Sequence, residues 1–210
     1  MRKLVVGTFV TLDGVMQAPG GPDEDRDGGF EHGGWSFSYW DDAMNPLIAA
    51  QILETDILLL GRRTYQIFAG HWPRITDPSD PVAAKLNAVP KVVASRTLRT
   101  ADWQNTTIIR DVVAGVSRLK REGEGQIQVS GSGDLIQTLL EHDLVDEVRL
   151  WTFPLVLASG KRLFAGGALP AAFRLLDTKV STTGVVIQRL ERAGPVRYGS
   201  FALEEESASR

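Results

Sequence analysis

The chain has 210 residues, no cysteine and a formal net charge of −3, with 43% hydrophobic and 23% charged residues. This balance is typical of a single globular α/β domain, and it supplies no basic field for nucleic acid or anionic lipid. The absence of cysteine excludes disulfides, thiolate metal sites and a cysteine nucleophile. His32, His71 and His142 lack metal-ligand spacing, so no metal site is predicted.

No segment approaches the ~20 apolar residues that span a membrane. The apolar run within residues 1–7 is also too short for a signal peptide. We therefore expect a cytoplasmic protein without a membrane or nucleic-acid partner.

The first predicted strand is Lys3–Val10, whose nearly continuous apolar sequence indicates a central strand covered on both faces. A glycine-rich stretch without regular structure follows from Val15 to Tyr39. Loops of this length in compact domains are usually functional or disordered. The aromatic residues in and beside it, among them Trp35 and Trp40, are compatible with a planar ligand and equally with anchors that hold the loop to the core.

Strands and helices then alternate along the chain. Helices are predicted at 45–54, 62–68, 81–88, 112–121 and 135–142, and strands at 56–60, 91–94, 106–109, 126–130 and 146–153. Asp41 and Asp42 precede the first of these helices and are candidates for its N-terminal cap. A β-hairpin is predicted from 173–180 and 185–192, and a short edge strand at 198–203.

This order predicts a three-layer α-β-α fold. Strand–helix repeats give right-handed crossovers and a largely parallel sheet with helices on both faces. The terminal hairpin makes the sheet mixed. Residues 1–203 are predicted to form a single domain, and the polar residues 204–210 a flexible tail.

A glycine turn follows the strand at 126–130, where Gly131, Ser132 and Gly133 precede a helix. Such a turn leaves backbone N–H groups free at the positive end of a helix dipole, which suits a phosphate. A plain structural turn is the alternative, because a motif this short is weak evidence. A dinucleotide fingerprint of the G-x-G-x-x-G type is excluded because Ile136 stands where the third glycine is needed.

Two other predicted strands end in groups that suit phosphate. One ends at Gly61, Arg62, Arg63 and Thr64, and the other at Ser95 and Arg96. Ligands of open α/β sheets bind outside the carboxyl ends of the strands, so these groups should converge with the glycine turn at one edge. Together they predict a dinucleotide site.

Five short motifs occur in one order from about Lys3 to Arg192. They are T-L-D-G at 11–14, L-L-G-R-R-T-Y at 59–65, V-V-A-S-R at 92–96, V-S-G-S-G at 129–133, and D-E-V at 146–148 with P-L at 154–155 and G-K-R-L-F at 160–164. In these motifs the chain resembles the dihydrofolate reductase-like superfamily. The closest branch is the reductase domain of riboflavin-biosynthesis deaminase/reductases (the RibD C-terminal domain) and its stand-alone relatives. The chain lacks the histidine/cysteine zinc signature of a deaminase.

The resemblance implies an NADPH-dependent reductase similar to 5-amino-6-(5-phosphoribosylamino)uracil reductase and dihydrofolate reductase. It implies cofactor contacts at the three strand ends and near the first strand, namely at Thr8, Gly61, Arg62, Arg63, Thr64, Ser95, Arg96, Gly131, Ser132, Gly133 and Asp134. Ser95 and Arg96 would flank the adenosine ribose and its 2′-phosphate. A small-molecule substrate would contact Leu12, Trp35, Trp40 and Asn45. A homodimer is also implied.

The chain departs from dihydrofolate reductases in the helix before the Gly-Arg strand. Those enzymes carry an acid there, whereas the comparable slot here is expected to hold Asn45. Folate is therefore a doubtful substrate. Asp13 or Asp42 is the expected proton source, although Asp42 also suits a helix cap. A non-catalytic ligand-binding protein remains an alternative, as does a module for a flavin or ATP, although no G-x-x-x-x-G-K-[ST] loop is present.

Overall fold

The structure is a computed structural model that describes residues 1–164 and 169–201. Five α-helices and eight strands alternate in the described part, as the sequence predicts. The helices are α1 (Met44–Leu53), α2 (Arg62–His71), α3 (Pro81–Ala88), α4 (Val112–Arg121) and α5 (Gly133–Glu141). The strands are β1 (Lys3–Thr11), β2 (Ile57–Gly61), β3 (Lys91–Ala94), β4 (Thr106–Ile109), β5 (Gln126–Ser130), β6 (Glu147–Phe153), β7 (Ala172–Val180) and β8 (Val186–Gly194).

The strands form one sheet in the order β4-β3-β2-β5-β1-β6-β8-β7. All neighbours from β4 to β6 pair in parallel, while β8 pairs antiparallel with both β6 and β7. The predicted mixed sheet with a C-terminal hairpin is therefore confirmed. Strand β1 lies between β5 and β6, and Gly7 is opposite Ser130 on one side and Arg149 on the other.

The sheet is covered on both faces because its central strands are apolar at successive positions. Leu4, Val6 and Val10 of β1 pack in a cluster with side chains of α4 and α5. On the opposite face, Leu58 and Leu60 of β2 pack with side chains of α2 and α3. The three-layer architecture is thus as predicted. No helix within residues 1–164 and 169–201 is long and apolar enough to cross a membrane.

The structure differs from the sequence prediction in three places. The predicted edge strand at 198–203 is wrong over its described part, because residues 198–201 form no strand and Tyr198 and Phe201 are exposed. Helix α2 continues to His71, three residues beyond its predicted end. The 15–39 stretch contains two short 3₁₀ turns, at Asp27–Gly29 and Phe37–Tyr39. The predicted domain end at 203 and the tail at 204–210 lie outside the described residues.

Candidate active site

One large cleft follows the carboxyl edge of the parallel strands and has a volume of about 1780 Å³. Its walls come from the ends of β1, β2, β3 and β5, from the loop at 16–27, and from α1 and α2. Pockets for one drug-sized ligand are usually ~300–1,000 Å³, so this cleft has room for two ligands side by side. Every residue that the sequence suggested for a cofactor lines it: Thr8, Gly61, Arg62, Arg63, Thr64, Ser95, Arg96, Gly131, Ser132, Gly133 and Asp134.

The Gly-Arg-Arg-Thr segment and the glycine turn are in direct contact. The Gly61 N–H donates to Ser132 Oγ at 3.0 Å, and Ser132 Oγ donates to the Ser130 carbonyl at 3.1 Å. A Cβ on Gly61 would lie 3.4 Å from Ser132 Cβ, and a Cβ on Gly131 would lie 3.5 Å from Thr64 Oγ1. Both distances are ordinary van der Waals contacts, so the end of β2, the start of α2 and the glycine turn after β5 lie against one another.

The glycine turn has the backbone geometry of an anion site. Gly131 and Ser132 both adopt the left-handed conformation, with φ of 53° and 64°. Ser132 is the N-terminal cap position of α5, and its hydroxyl is used by the turn instead of by the helix amides. The first N–H groups of α5 are consequently available at the positive end of the helix dipole, where a phosphate binds well.

Cations surround the third strand end. Arg62 donates from Nη1 to Thr97 Oγ1 at 2.9 Å, which connects α2 to the segment after β3. The Arg96 side chain is exposed, lines the cleft and has no partner among the described residues. Arg110, at the end of the neighbouring strand β4, also lines the cleft and donates to the Ser95 carbonyl at 2.6 Å. Sequence reasoning missed Arg110, although its position one residue after a predicted strand was the available signal.

Arg63 is held differently from the other arginines. It forms ion pairs with Asp25, at 3.5 Å, and with Asp27, both in the loop that also lines the cleft. Lys161 Nζ joins the same carboxylates, 2.6 Å from Asp25 and 3.0 Å from Asp27. The loop at 24–27 is thereby connected to the start of α2 and to Lys161.

Asp13, one of the two expected proton sources, does not line the cleft. Its carboxylate accepts from Thr11 Oγ1 at 2.6 Å, from the Leu157 and Ala158 amides, and from Arg162 at 3.1 Å. The hydrogen bond from Thr11, with those from the two amides, lowers the pKa of Asp13 from 3.8 to about 2. Asp13 therefore connects the 11–14 turn to the 157–162 loop as an acceptor of hydrogen bonds, and these contacts do not favour it as a proton donor.

Asp42, the other expected proton source, is exposed and also lies outside the cleft. The carboxylate at the start of α1 is that of Asp41, which accepts from the Met44 amide at 3.1 Å and from Thr182.

Asn45 is exposed and accepts from Trp40 Nε1 at 2.8 Å. Leu12 is 64% exposed on the turn after β1. Leu12, Asp42 and Asn45 do not line the cleft. The residues of α1 that do line it are Ile48, Gln51 and Ile52.

The two tryptophans assigned to the substrate belong to the core. Trp35 is buried, donates from Nε1 to the Gln17 carbonyl at 2.7 Å and packs edge-on against Phe153. Trp40 stacks on Trp151, with ring planes 3° apart. Trp151 lines the cleft and Trp40 does not, so Trp40 supports the cleft wall. The sequence left two roles open for the aromatic residues of this loop, contact with a planar ligand or anchoring of the loop to the core. The contacts of both tryptophans are those of anchors.

Among the other polar residues of the cleft that sequence reasoning missed are Glu24, Gln51 and Gln128. Glu24 accepts from the Gly20 and Gly21 amides through Oε2 alone, at 2.6 and 3.2 Å, and burial raises the pKa of its carboxyl. Gln51 lies on the cleft side of α1, and Gln128 is buried on β5. A lone acid or amide gives no local signal in the sequence, since only the fold shows which side chains face a cavity.

In the described part of the chain, no three potential metal ligands form a cluster.

The comparisons with known proteins agree with this geometry. The fold is that of the dihydrofolate reductase-like proteins. It matches dihydrofolate reductase from Enterococcus faecalis, solved with NADP(H), with a TM-score of 0.57 at 11% identity over 91% of this chain and 96% of that one. Residues 2–188 match the family model of the RibD C-terminal domain. The chain belongs to this family, as its motifs indicated.

Two further relatives cover nearly the whole chain. A Shewanella sp. PV-4 protein provisionally assigned to riboflavin biosynthesis has a TM-score of 0.69 at 20% identity, over 90% of this chain and 98% of that one. The uncharacterized protein YyaP of Bacillus subtilis (strain 168) is 29% identical over 191 residues, which is 88% of this chain and 92% of YyaP. The fold is thus a reductase-type fold.

Proposed function

We propose that this protein is an NADPH-dependent reductase that transfers a hydride to a C=N or C=O carbon of a small heterocyclic or carbonyl substrate. The observation that carries the proposal is the convergence of three phosphate-suited strand ends on one cleft with room for a second ligand. The neighbour solved with NADP(H) shares this fold and supports the same cofactor.

The residues present fit NADPH. The α5 N-terminus with Gly131, Ser132 and Gly133 would hold the pyrophosphate, and Thr64 lies against that turn. Arg96, together with Arg62 through its contact with Thr97, would hold the 2′-phosphate. When bound, NADPH would supply the hydride. The chain's own part is to bind and orient both ligands, exclude water from the aromatic wall at Phe9 and Trp151, and supply a proton.

In this proposal the proton comes from Glu24. Three other carboxyls of the cleft are engaged: Asp25 and Asp27 pair with Lys161, and Asp111 caps α4 through the Ala114 amide. Asp134 lies in the first turn of α5, at the end of the cleft proposed for the pyrophosphate. Glu24 has Oε1 without a partner among the described residues and a raised pKa, both of which suit a general acid. The reduction of the C=N or C=O bond would take up a hydride at the carbon and the Glu24 proton at the nitrogen or oxygen, and it would leave Glu24 as a carboxylate.

Binding of NADPH can be followed by tryptophan fluorescence, because Trp72 and Trp151 line the cleft. We expect saturable binding below millimolar concentration. Arg62→Ala and Arg96→Ala should weaken NADPH by about 10- to 100-fold while changing NADH much less, since each removes a charge-assisted hydrogen bond to the 2′-phosphate. Arg99→Ala is the matched control, as Arg99 is exposed near Arg96 but outside the cleft. Equal losses for the two cofactors would refute the 2′-phosphate assignment.

Turnover separates an enzyme from a non-catalytic relative. A panel of pterins, pyrimidines and carbonyl compounds should contain one that causes loss of NADPH absorbance in the presence of the protein. Saturable NADPH binding without oxidation on any of them would favour the ligand-binding alternative. The cytoplasmic location stays a prediction.

A further inference from the structure

Two glutamine amides line the cleft, Gln51 on α1 and Gln128 on β5. We call the part of the cleft that contains them the α1 pocket: it is lined by Gly7, Phe9, Ile48, Gln51, Gln128 and Trp151. We propose that Gln51 and Gln128 recognise the substrate by donating hydrogen bonds to it. The α1 pocket then selects an uncharged planar ring with carbonyl or other acceptor atoms and disfavours a cationic amino-substituted ring. The inference rests on the proposed reductase function, because it concerns the substrate of that reaction. Its test measures binding alone and does not require that the protein is a reductase.

The orientation of Gln51 is set by a group that can only donate. Trp151 Nε1 donates to Gln51 Oε1 at 3.2 Å, and an indole N–H has no acceptor capacity. The carbonyl side of the Gln51 amide must therefore face Trp151. Its NH₂ group points the other way and has no partner within residues 1–164 and 169–201.

The orientation of Gln128 is set through a short relay that begins at an arginine. Arg149 Nη2 donates to Gln126 Oε1 at 3.0 Å, and a guanidinium cannot accept. Gln126 must then donate from Nε2, which it does to Gln128 Oε1 at 3.0 Å. Gln128 consequently presents Nε2 as a donor: one hydrogen reaches the Val129 carbonyl at 3.1 Å, and the second is without a partner in the described chain.

Arg149, which starts this relay, is itself buried and pairs with two carboxylates, of which Glu147 is buried and Glu54 is exposed. Its side chain donates from Nε to Glu147 Oε1 at 2.7 Å and from Nη2 to Glu54 Oε2 at 2.7 Å. Burial raises the pKa of Glu147, but hydrogen bonds from Arg189 and Arg149 outweigh it and lower the pKa overall. The acid therefore stays ionised and keeps Arg149 in place.

Gly7 leaves the space that the Gln128 amide occupies. A Cβ at Gly7 would lie 2.6 Å from Gln128 Nε2, so any larger residue there would push the Gln128 amide out of its present position. The amide is thus seated over the backbone of the central strand, beside the aromatic surface of Phe9 and Trp151. A planar ring on that surface would meet two oriented N–H donors.

None of the six residues that define the α1 pocket is a carboxylate. The acids that line the whole cleft lie in the 24–27 loop and at the starts of α4 and α5. Glu54 and Glu147 lie behind the pocket, where both are paired with Arg149. A protonated amino-heterocycle needs an anionic or acceptor partner, whereas two amide donors suit a carbonyl oxygen.

A matched pair of probes tests this polarity. Quinazoline-2,4-dione and 2,4-diaminoquinazoline have the same ring outline, but the first presents two carbonyl oxygens and the second two amino groups and a readily protonated ring. Binding to the full-length protein is measured by tryptophan fluorescence with and without saturating NADP⁺. We expect the dione to bind at least about tenfold more tightly, as one or two hydrogen bonds to well-placed donors would produce.

Gln51→Glu is the diagnostic variant because it keeps the acceptor for Trp151 and replaces the free NH₂ group with a carboxylate oxygen. It should remove or reverse the preference for the dione. Gln66→Glu is the control, since it adds the same charge to an exposed cleft position on α2. Gln128→Met tests the second donor without adding charge, and should weaken the dione alone. Unchanged circular dichroism and melting temperature show that each variant folds.

Several results would overturn the inference. They are a wild-type preference for the diaminoquinazoline, equal effects of Gln51→Glu and Gln66→Glu, and no binding of either probe by protein that binds NADPH. If instead the dione preference and its reversal appear while NADPH does not bind, the proposed reductase function fails and the pocket polarity stands.

Discussion

Glu24 is the residue on which the proposed chemistry depends most. It lies in the 15–39 loop, lines the cleft and keeps one carboxylate oxygen without a partner in the described chain. Burial raises the pKa of its carboxyl, so a larger fraction is protonated near neutral pH than for an ordinary glutamate. A raised pKa in a cleft is what a general acid requires.

We expect Glu24→Gln to lower kcat by about 10²- to 10⁴-fold, the usual contribution of general acid catalysis, with little change in NADPH affinity. In the wild type, kcat/KM should fall as pH rises through the pKa of Glu24, because only the protonated carboxyl donates. The variant should lose this limb of the pH–rate profile. Asp23→Asn is the control, since Asp23 is an exposed neighbour outside the cleft. A wild-type limb that persists in Glu24→Gln would assign the proton to another group.

At the scale of elements, the turn after β1 and the 157–162 loop are held together by Asp13. Its pKa in the folded protein is about 2, below the ordinary 3.8, mainly because Thr11 donates a hydrogen bond to the carboxylate. A carboxyl with a lowered pKa stabilises the fold at pH values above its ordinary pKa, and this stabilisation is lost as the pH falls toward the lowered value.

Asp13→Asn should therefore flatten the acid limb of stability. The free energy of unfolding of the wild type, measured by urea denaturation, should fall more steeply than that of the variant between pH 3.8 and pH about 2. Asp42→Asn, at an exposed position of the same charge, should follow the wild-type curve. Parallel curves for wild type and Asp13→Asn would show that the carboxylate contributes no such stabilisation.

The 24–27 loop competes with an anionic ligand for Arg63. Asp27 pairs with both Arg63 and Lys161, and all three residues line the cleft. Removing its charge should leave the cleft more positive and tighten NADPH binding by up to about fivefold, the range of a partly exposed ion pair. The gain should shrink at high salt because exposed charges are screened. Fluorescence titration of Asp27→Asn measures its affinity for NADPH, and Asp77→Asn, outside the cleft, is the control. Weaker binding by Asp27→Asn would show instead that Asp27 helps to close the loop over the ligand.

At the scale of the whole molecule, β7 is an edge strand with an unusual surface. Leu175, Leu176 and Val180 are 49%, 42% and 67% exposed, and the outer edge of β7 pairs with no other strand in the described chain. An exposed apolar edge is a site where a second strand adds. The homodimer that the family resemblance implies would cover this edge with the same edge of a second copy.

Light scattering should then give a dimer, and Leu176→Glu or Val180→Glu should raise the dimer dissociation constant by about tenfold or more, because charge is disfavoured at an interface core. NADPH affinity should stay unchanged, since β7 is remote from the cleft lining. Val156→Glu, at a 62% exposed apolar position outside β7, is the control. A monomeric wild type at high concentration would exclude this assembly.

The strand ends were predictable because their signals are local. A buried apolar run followed by Gly61 and arginines, or by Gly131 and Gly133, places backbone amides and cations at a carboxyl edge whatever the remainder of the fold is. The parallel order then brings these ends together. The side chains opposite them were not predictable in this way, as Asn45 and Gln51 lie on one helix and only its rotation against the sheet turns Gln51 inward.

By itself, the sequence determined the alternation of strands and helices, the mixed sheet and the phosphate-suited end of the cleft, because apolar periodicity and glycine conformations act over a few residues. Tertiary structure alone decided that Asp13 and Trp35 support the fold, that Glu24 is partly buried in the cleft, and that Gln51 and Gln128 turn their donors into it. Each of these roles depends on partners far away in the chain, such as Leu157 for Asp13 and Trp151 for Gln51.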